Sequence, residues 1–154
     1  MLRTVIALLA VTAMFTGRLS FGADNPLHPC EAETAKLMDI KSTWGEIYKA
    51  AIALPPACFD GYFAEGISDT LVRKMGQDWS GFLSLIEAHP KEAKFMHLVL
   101  ESINSTLDPK DIRAVDRLAK SSCRAALRNS CRAISNRAAA ALADYVPPEP
   151  RNGT

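Results

Sequence analysis

The sequence contains little that would do chemistry. Its 154 residues include only three histidines, and its formal net charge is +1. No H-E-x-x-H is present, which removes the helical zinc-hydrolase arrangement. There is no G-x-S-x-G, no P-loop and no glycine-rich dinucleotide fingerprint, so the nucleophile elbow and the common phosphate cradles are missing too. No two of the four cysteines have C-x-x-C spacing, and His28, His89 and His97 form no ligand set with them. His97, on a helix in "FMHLVLE", reads as a hydrogen-bonded structural histidine, and His89 before Pro90 as a turn or cap residue. No stretch past the opening residues is apolar enough to cross a bilayer. None alternates apolar and polar residues long enough to read as a strand. These absences argue against an enzyme: no catalytic residue, no metal ligand and no cofactor is expected.

The opening residues, "MLRTVIALLAVTAMFTGRLSFGAD", are the first positive feature. Arg3 supplies a short positive region, an apolar run follows from Thr4 to Gly17, and small residues gather at Ser20, Gly22 and Ala23. This is the layout of a cleavable export signal. The run is shorter than the roughly 20 residues that span a bilayer. Cleavage after Gly22 places Ser20 and Gly22 at the two recognition positions. The expected organisation is a signal peptide at 1–22, a single helical domain at 23–146 and a flexible proline-rich tail at 147–154. Localisation is expected to be periplasmic or secreted, with no membrane association after cleavage.

The remainder has helical periodicity. Leu37, Ile40, Trp44, Ile47, Ala51 and Leu54 recur at steps of three and four, which predicts one amphipathic helix from Glu31 to Leu54. Pro55 and Pro56 end it, since neither can donate a backbone hydrogen bond. Ile67, Leu71, Met75, Trp79, Phe82 and Ile86 form a second stripe, interrupted by Gly76 and Gly81, so two shorter helices with a turn between them are expected. His89-Pro90 punctuates the chain, with Pro90 suited to a first helical position. Phe95, Val99 and Ile103 mark a further helix. Asp108 can cap the next, with Pro109 in its first position and Asp111 near its positive end; the last helix is expected to run to Tyr145. The fold class is therefore all-α: a compact bundle of four to six helices stapled by two disulfides.

The staples are Cys30, Cys58, Cys123 and Cys131, an even number in a chain bound for an oxidising compartment. On one continuous helix Cys123 and Cys131 would lie about 12 Å apart, whereas a disulfide needs Cα atoms about 4.4–6.8 Å apart. Cys30 and Cys58 flank the first long helix and are distant for the same reason. Cross-pairing of the early cysteines to the last helix is therefore expected, and it requires the flanks of the first helix to fold back or that helix to start later. A break at Arg128–Ser130 would instead allow a local Cys123–Cys131 bridge.

Two surfaces are candidates for binding. In "PPACFDGYFAEGISD", a turn near Gly66 would gather Asp60, Glu65 and Asp69 into an acidic patch, while Phe59, Tyr62 and Phe63 read as core. The second surface follows from charge segregation. Positions 23–107 carry 12 acidic and 7 basic residues, and 108–154 carry 5 acidic and 9 basic. Arg113, Arg117, Lys120, Arg124, Arg128 and Arg132 follow each other at helical steps and would form one basic face. Export and the absence of interleaved aromatics argue against nucleic acid. A docking stripe for an acidic protein or anionic ligand is the functional reading, with Arg117, Arg124 and Arg128 as the candidate contacts.

In layout the chain resembles the immunity proteins that protect bacteria from type VI secretion amidase effectors. The carrying features are the signal peptide, "CFDGYFAEG" opening a helix, and the late cysteines in "SSCRAALRNSC". The resemblance implies an all-helical periplasmic protein that binds a secreted cell-wall-degrading effector and blocks its active site, often as a homodimer. No binding residue carries over position by position. An exported carrier of a small apolar ligand, of the kind insect odorant-binding proteins represent, is the alternative, although the interval from Cys58 to Cys123 is far too long for that cysteine pattern.

Overall fold

The computed structural model describes residues 30–147. The expected signal peptide, and the expected tail from 148 onward, lie outside the described residues. Seven α-helices occur among those described, with no strand: α1 (Glu31–Leu37), α2 (Trp44–Ala53), α3 (Gly61–Gln77), α4 (Trp79–Ala88), α5 (Ala93–Ser102), α6 (Pro109–Ser121) and α7 (Arg128–Ala143). One turn of 3-10 helix, Pro56–Cys58, joins α2 to α3, and another, Ala125–Leu127, joins α6 to α7.

Helix α3 is the axis of the molecule. It packs on α1, α4, α5 and α6, while α1 lies against α2 and α6 against α7. Its Ile67, Leu71 and Met75 are fully buried, as are Phe82 of α4, Val99 of α5, Ile112 of α6 and Ile134 of α7. The expected stripes therefore face one common core. The break between α3 and α4 falls at Asp78, between the two glycines of the interrupted stripe. Asp78 ends α3 and starts α4: its carboxylate accepts the Gly81 N–H (2.9 Å) and the Trp44 Nε1–H (3.0 Å). Trp79 is buried as its stripe implies, and its Nε1–H donates to the Ser122 carbonyl (3.1 Å). Asp108 caps α6 by accepting the Lys110 N–H (2.8 Å), with Pro109 in the first turn. Helix α7 stops at Ala143, just short of the expected Tyr145. Pro90 lies in a turn rather than opening a helix, and Glu92 caps α5 instead.

The count of seven, rather than four to six, comes from two breaks inside stripes that look continuous in sequence. The first is at 38–43. Thr43 and Glu46 form a capping box: the Glu46 N–H donates to the Thr43 hydroxyl (3.2 Å) and the Thr43 N–H to the Glu46 carboxylate (2.8 Å). Helix α3 pins the connection, since the Thr70 hydroxyl donates to the Met38 carbonyl (3.2 Å) and Lys74 Nζ to the Ile40 carbonyl (3.2 Å). Chain reversal there brings Cys30 back to Cys58, with Cα atoms 5.3 Å apart, and the two are bonded. The second break, at 122–127, lets Cys123 reach Cys131, with Cα atoms 6.2 Å apart. Cross-pairing is thus overturned: both bridges are local. The break that permits the second lies just upstream of Arg128–Ser130, at the position where α6 must turn back onto α7.

Candidate functional site

The acidic turn does not form. Gly66 lies inside α3, where that helix passes so close to Met38 that a Cβ would collide with its side chain. The turn sits earlier, at Gly61, whose φ of +49° is the left-handed region that favours glycine. Asp60 caps α3 by accepting the Gly61 N–H (2.7 Å). Asp69 pairs with Arg73 four residues on (3.2 Å), and Glu65 is exposed. Glu65 and Asp69 share a helix face through their four-residue spacing. Asp60, ahead of that helix, is committed to its cap.

The basic stripe is also divided. Arg117 is exposed on α6 and Arg128 on α7, while Arg124 stands in the break between them. The Arg124 guanidinium donates to the Glu87 carboxylate (2.5 Å) and to the Ser84 hydroxyl (3.0 Å). Arg124 therefore ties the α6–α7 junction to α4. Around the second disulfide the chain forms a depression of about 340 Å³, lined by both sulfur-bearing residues, Lys120, Arg128, Arg132 and Ser135. Asp116 accepts from Lys120 Nζ (2.7 Å) and from the Ser135 hydroxyl (2.7 Å). Burial pushes the Asp116 carboxyl up, but these donors outweigh burial and hold it below its usual range. Arg128 and Arg132 have no side-chain hydrogen-bond or ion-pair partner among the described residues.

A third surface was hidden in sequence. The end of α2, the Pro56–Cys58 turn and α5 enclose an apolar cleft of about 340 Å³, walled by Leu54, Pro55, Pro56, Phe59 and Leu98. Lys94, His97 and Glu101 stand along its α5 side. Lys94 Nζ donates to the Leu54 carbonyl (2.9 Å) and to that of Ile52, so a cation closes the carbonyl end of α2 from across the cleft. His97 is exposed at this cleft instead of serving as a hydrogen-bonded structural residue, whereas His89 does cap α4 and stacks on Tyr48 (4.0 Å). Tyr62, three residues past Phe59, is 74% exposed, not core, and meets Phe63 edge to face (5.8 Å). The sequence carries a signal for that: Tyr62 is in helical step with Glu65 and Asp69, the polar side of α3. Nothing comparable flags His97.

All four cysteines are in disulfides, so no thiol is available as a nucleophile. No group of three or more potential metal-ligating side chains occurs among the described residues, and no described helix is long and apolar enough to cross a membrane. No protein-family model, curated protein or solved structure matches this chain.

Proposed function

We propose that this is an exported protein-binding module that inhibits a secreted cell-wall-degrading effector, as the immunity proteins it resembles in layout do. The observation that carries the reading is the apolar segment between α2 and α3. It presents Pro55 and Pro56 to solvent on one wall of the apolar cleft, with Tyr62 exposed in the first turn of α3 that follows, on a backbone that the Cys30–Cys58 bridge holds in place. Recognition surfaces concentrate their affinity in a few aromatic and apolar anchors beside a pocket, with charged groups at the rim. Lys94, His97 and Glu101 supply such a rim. Preorganisation by the disulfide lowers the ordering cost of binding.

The test is affinity capture from the native envelope fraction with the wild-type chain and with Tyr62→Ala. The captured protein is then assayed as a peptidoglycan hydrolase. The expected result is a hydrolase whose activity the wild-type chain abolishes at equal stoichiometry, with Tyr62→Ala weakening inhibition by about tenfold or more. The second reading, a carrier, has one favouring observation: a cleft of about 340 Å³ with apolar walls falls within the size range of small-molecule sites. A fluorescent lipophilic dye that enters the cleft and is displaced by extracted apolar ligands, with no hydrolase inhibited, would establish the carrier and overturn the inhibitor.

A further inference from the structure

The two disulfides stand in opposite environments. Cys30 and Cys58 are 4% and 3% exposed. Cys131 is equally buried at 2%, but Cys123 is only partly covered, and both line the depression that Lys120, Arg128 and Arg132 surround. Lys120 is neutralised by Asp116, and Glu87 is engaged by Arg124. Arg128 and Arg132 are left as uncompensated positive charge beside a disulfide that solvent can reach. Cys131 also lies in the first turns of α7, where the helix dipole favours negative charge.

We propose that the Cys123–Cys131 disulfide is a modification site that undergoes thiol–disulfide exchange with small anionic thiols, with attack at Cys123 Sγ. The incoming thiolate forms a bond to Cys123 Sγ as the Cys123–Cys131 bond breaks, and the electron pair leaves on Cys131 as a thiolate. A second thiolate attacks the small-molecule sulfur of the mixed disulfide. That step releases Cys123 as a thiolate and yields the oxidised small disulfide, so two thiols are oxidised and one protein disulfide is reduced. Arg128, Arg132 and the α7 terminus stabilise the departing Cys131 thiolate, which makes it a better leaving group. The same guanidiniums draw an anionic thiol inward. The fold tolerates the opening, because Trp79 still holds the Ser122 carbonyl and Arg124 still holds Glu87 and Ser84.

The experiment uses the oxidised full chain and two probe thiols, glutathione, which is anionic, and cysteamine, which is cationic. Each is added at equal thiolate concentration, followed by quenching, alkylation and tryptic mass spectrometry. Cleavage after Lys120, Arg124, Arg128 and Arg132 places Cys123 and Cys131 on separate peptides. The expected product is a single glutathione adduct on the Cys123 peptide while Cys30–Cys58 stays oxidised. Glutathione should outpace cysteamine by roughly threefold to tenfold at low ionic strength, with the preference vanishing in high salt. The variant Arg128→Gln/Arg132→Gln should lose the preference; if it misfolds, the salt dependence of the wild-type chain decides alone. Opening of Cys30–Cys58 first or at the same rate, an adduct on Cys131, or equal rates for the two thiols would each overturn the proposal.

Discussion

The two stapled corners solve the same problem by different means. In the first, Cys30–Cys58 closes an interval of 28 residues and is sealed into the core between α1, α2 and α3. In the second, Cys123–Cys131 closes only 8 residues and lies at the surface of the α6–α7 junction. The first constrains the unfolded chain more, because the closure entropy removed grows with loop length. The second constrains less but is backed by groups from another helix, Trp79 and Arg124's partners on α4. A long buried bridge contributes stability, whereas a short one with a partly covered sulfur-bearing residue beside uncompensated arginines is open to chemistry.

The largest expected effect comes from the residue that joins the second corner to the core. Trp79→Ala removes a buried indole and leaves the Ser122 carbonyl without its donor, and should cost about 3–5 kcal/mol in urea unfolding. Trp79→Phe should cost clearly less, because most of the buried area is kept. Equal losses for the two variants would mean that the hydrogen bond, not packing, secures the junction.

Removing the bridges compares the corners directly. Cys30→Ala/Cys58→Ala should cost about 3.5 kcal/mol on the loop-closure relation. By the same relation Cys123→Ala/Cys131→Ala should cost about 2.5 kcal/mol. Denaturant midpoints of the two double variants, measured side by side, test the order. If the short bridge proves the more costly to lose, loop length is not what separates the corners and the buried bridge has no special standing.

Sequence and structure part company at these same corners. Pro55-Pro56 and Asp108-Pro109 are legible because a missing N–H and a fixed φ act locally on the backbone. The stripe logic also recovers Phe82, Val99 and the burial of Trp79. The breaks at 38–43 and 122–127 carry no such punctuation, and the apolar and basic periodicities run through them in register. What ends those helices is largely tertiary: Thr70 and Lys74 of α3 capture the first connection, and Trp79 and Arg124 fasten the second. One local signal was readable, the Thr43…Glu46 capping spacing. The cleft could not be read, since its walls come from α5 and from a turn some 40 positions earlier, as the Lys94–Leu54 contact shows.

The smallest effect is a pH dependence at the first corner. The Thr43 backbone N–H, the Thr43 hydroxyl and Lys36 of α1 together hold the Glu46 carboxyl at about 2, down from 4.5. A carboxylate whose folded value is depressed stabilises the fold above its unfolded value, and that contribution is lost as pH falls through the folded one. The capping box should therefore weaken between about pH 4.5 and pH 2. Urea midpoints measured across this window should separate the wild type from Glu46→Gln at pH 6 and bring the two together near pH 2. The same titration in the Cys30→Ala/Cys58→Ala background sharpens the comparison of corners. Thr43 is local to α2 and acts with or without the bridge, but Lys36 reaches Glu46 (3.3 Å) only while α1 lies against α2. If the buried bridge is what keeps α1 in place, the acid-sensitive component should shrink without disappearing. An unchanged component would mean that packing alone holds α1, and would leave the long bridge as a constraint on the unfolded chain and nothing more.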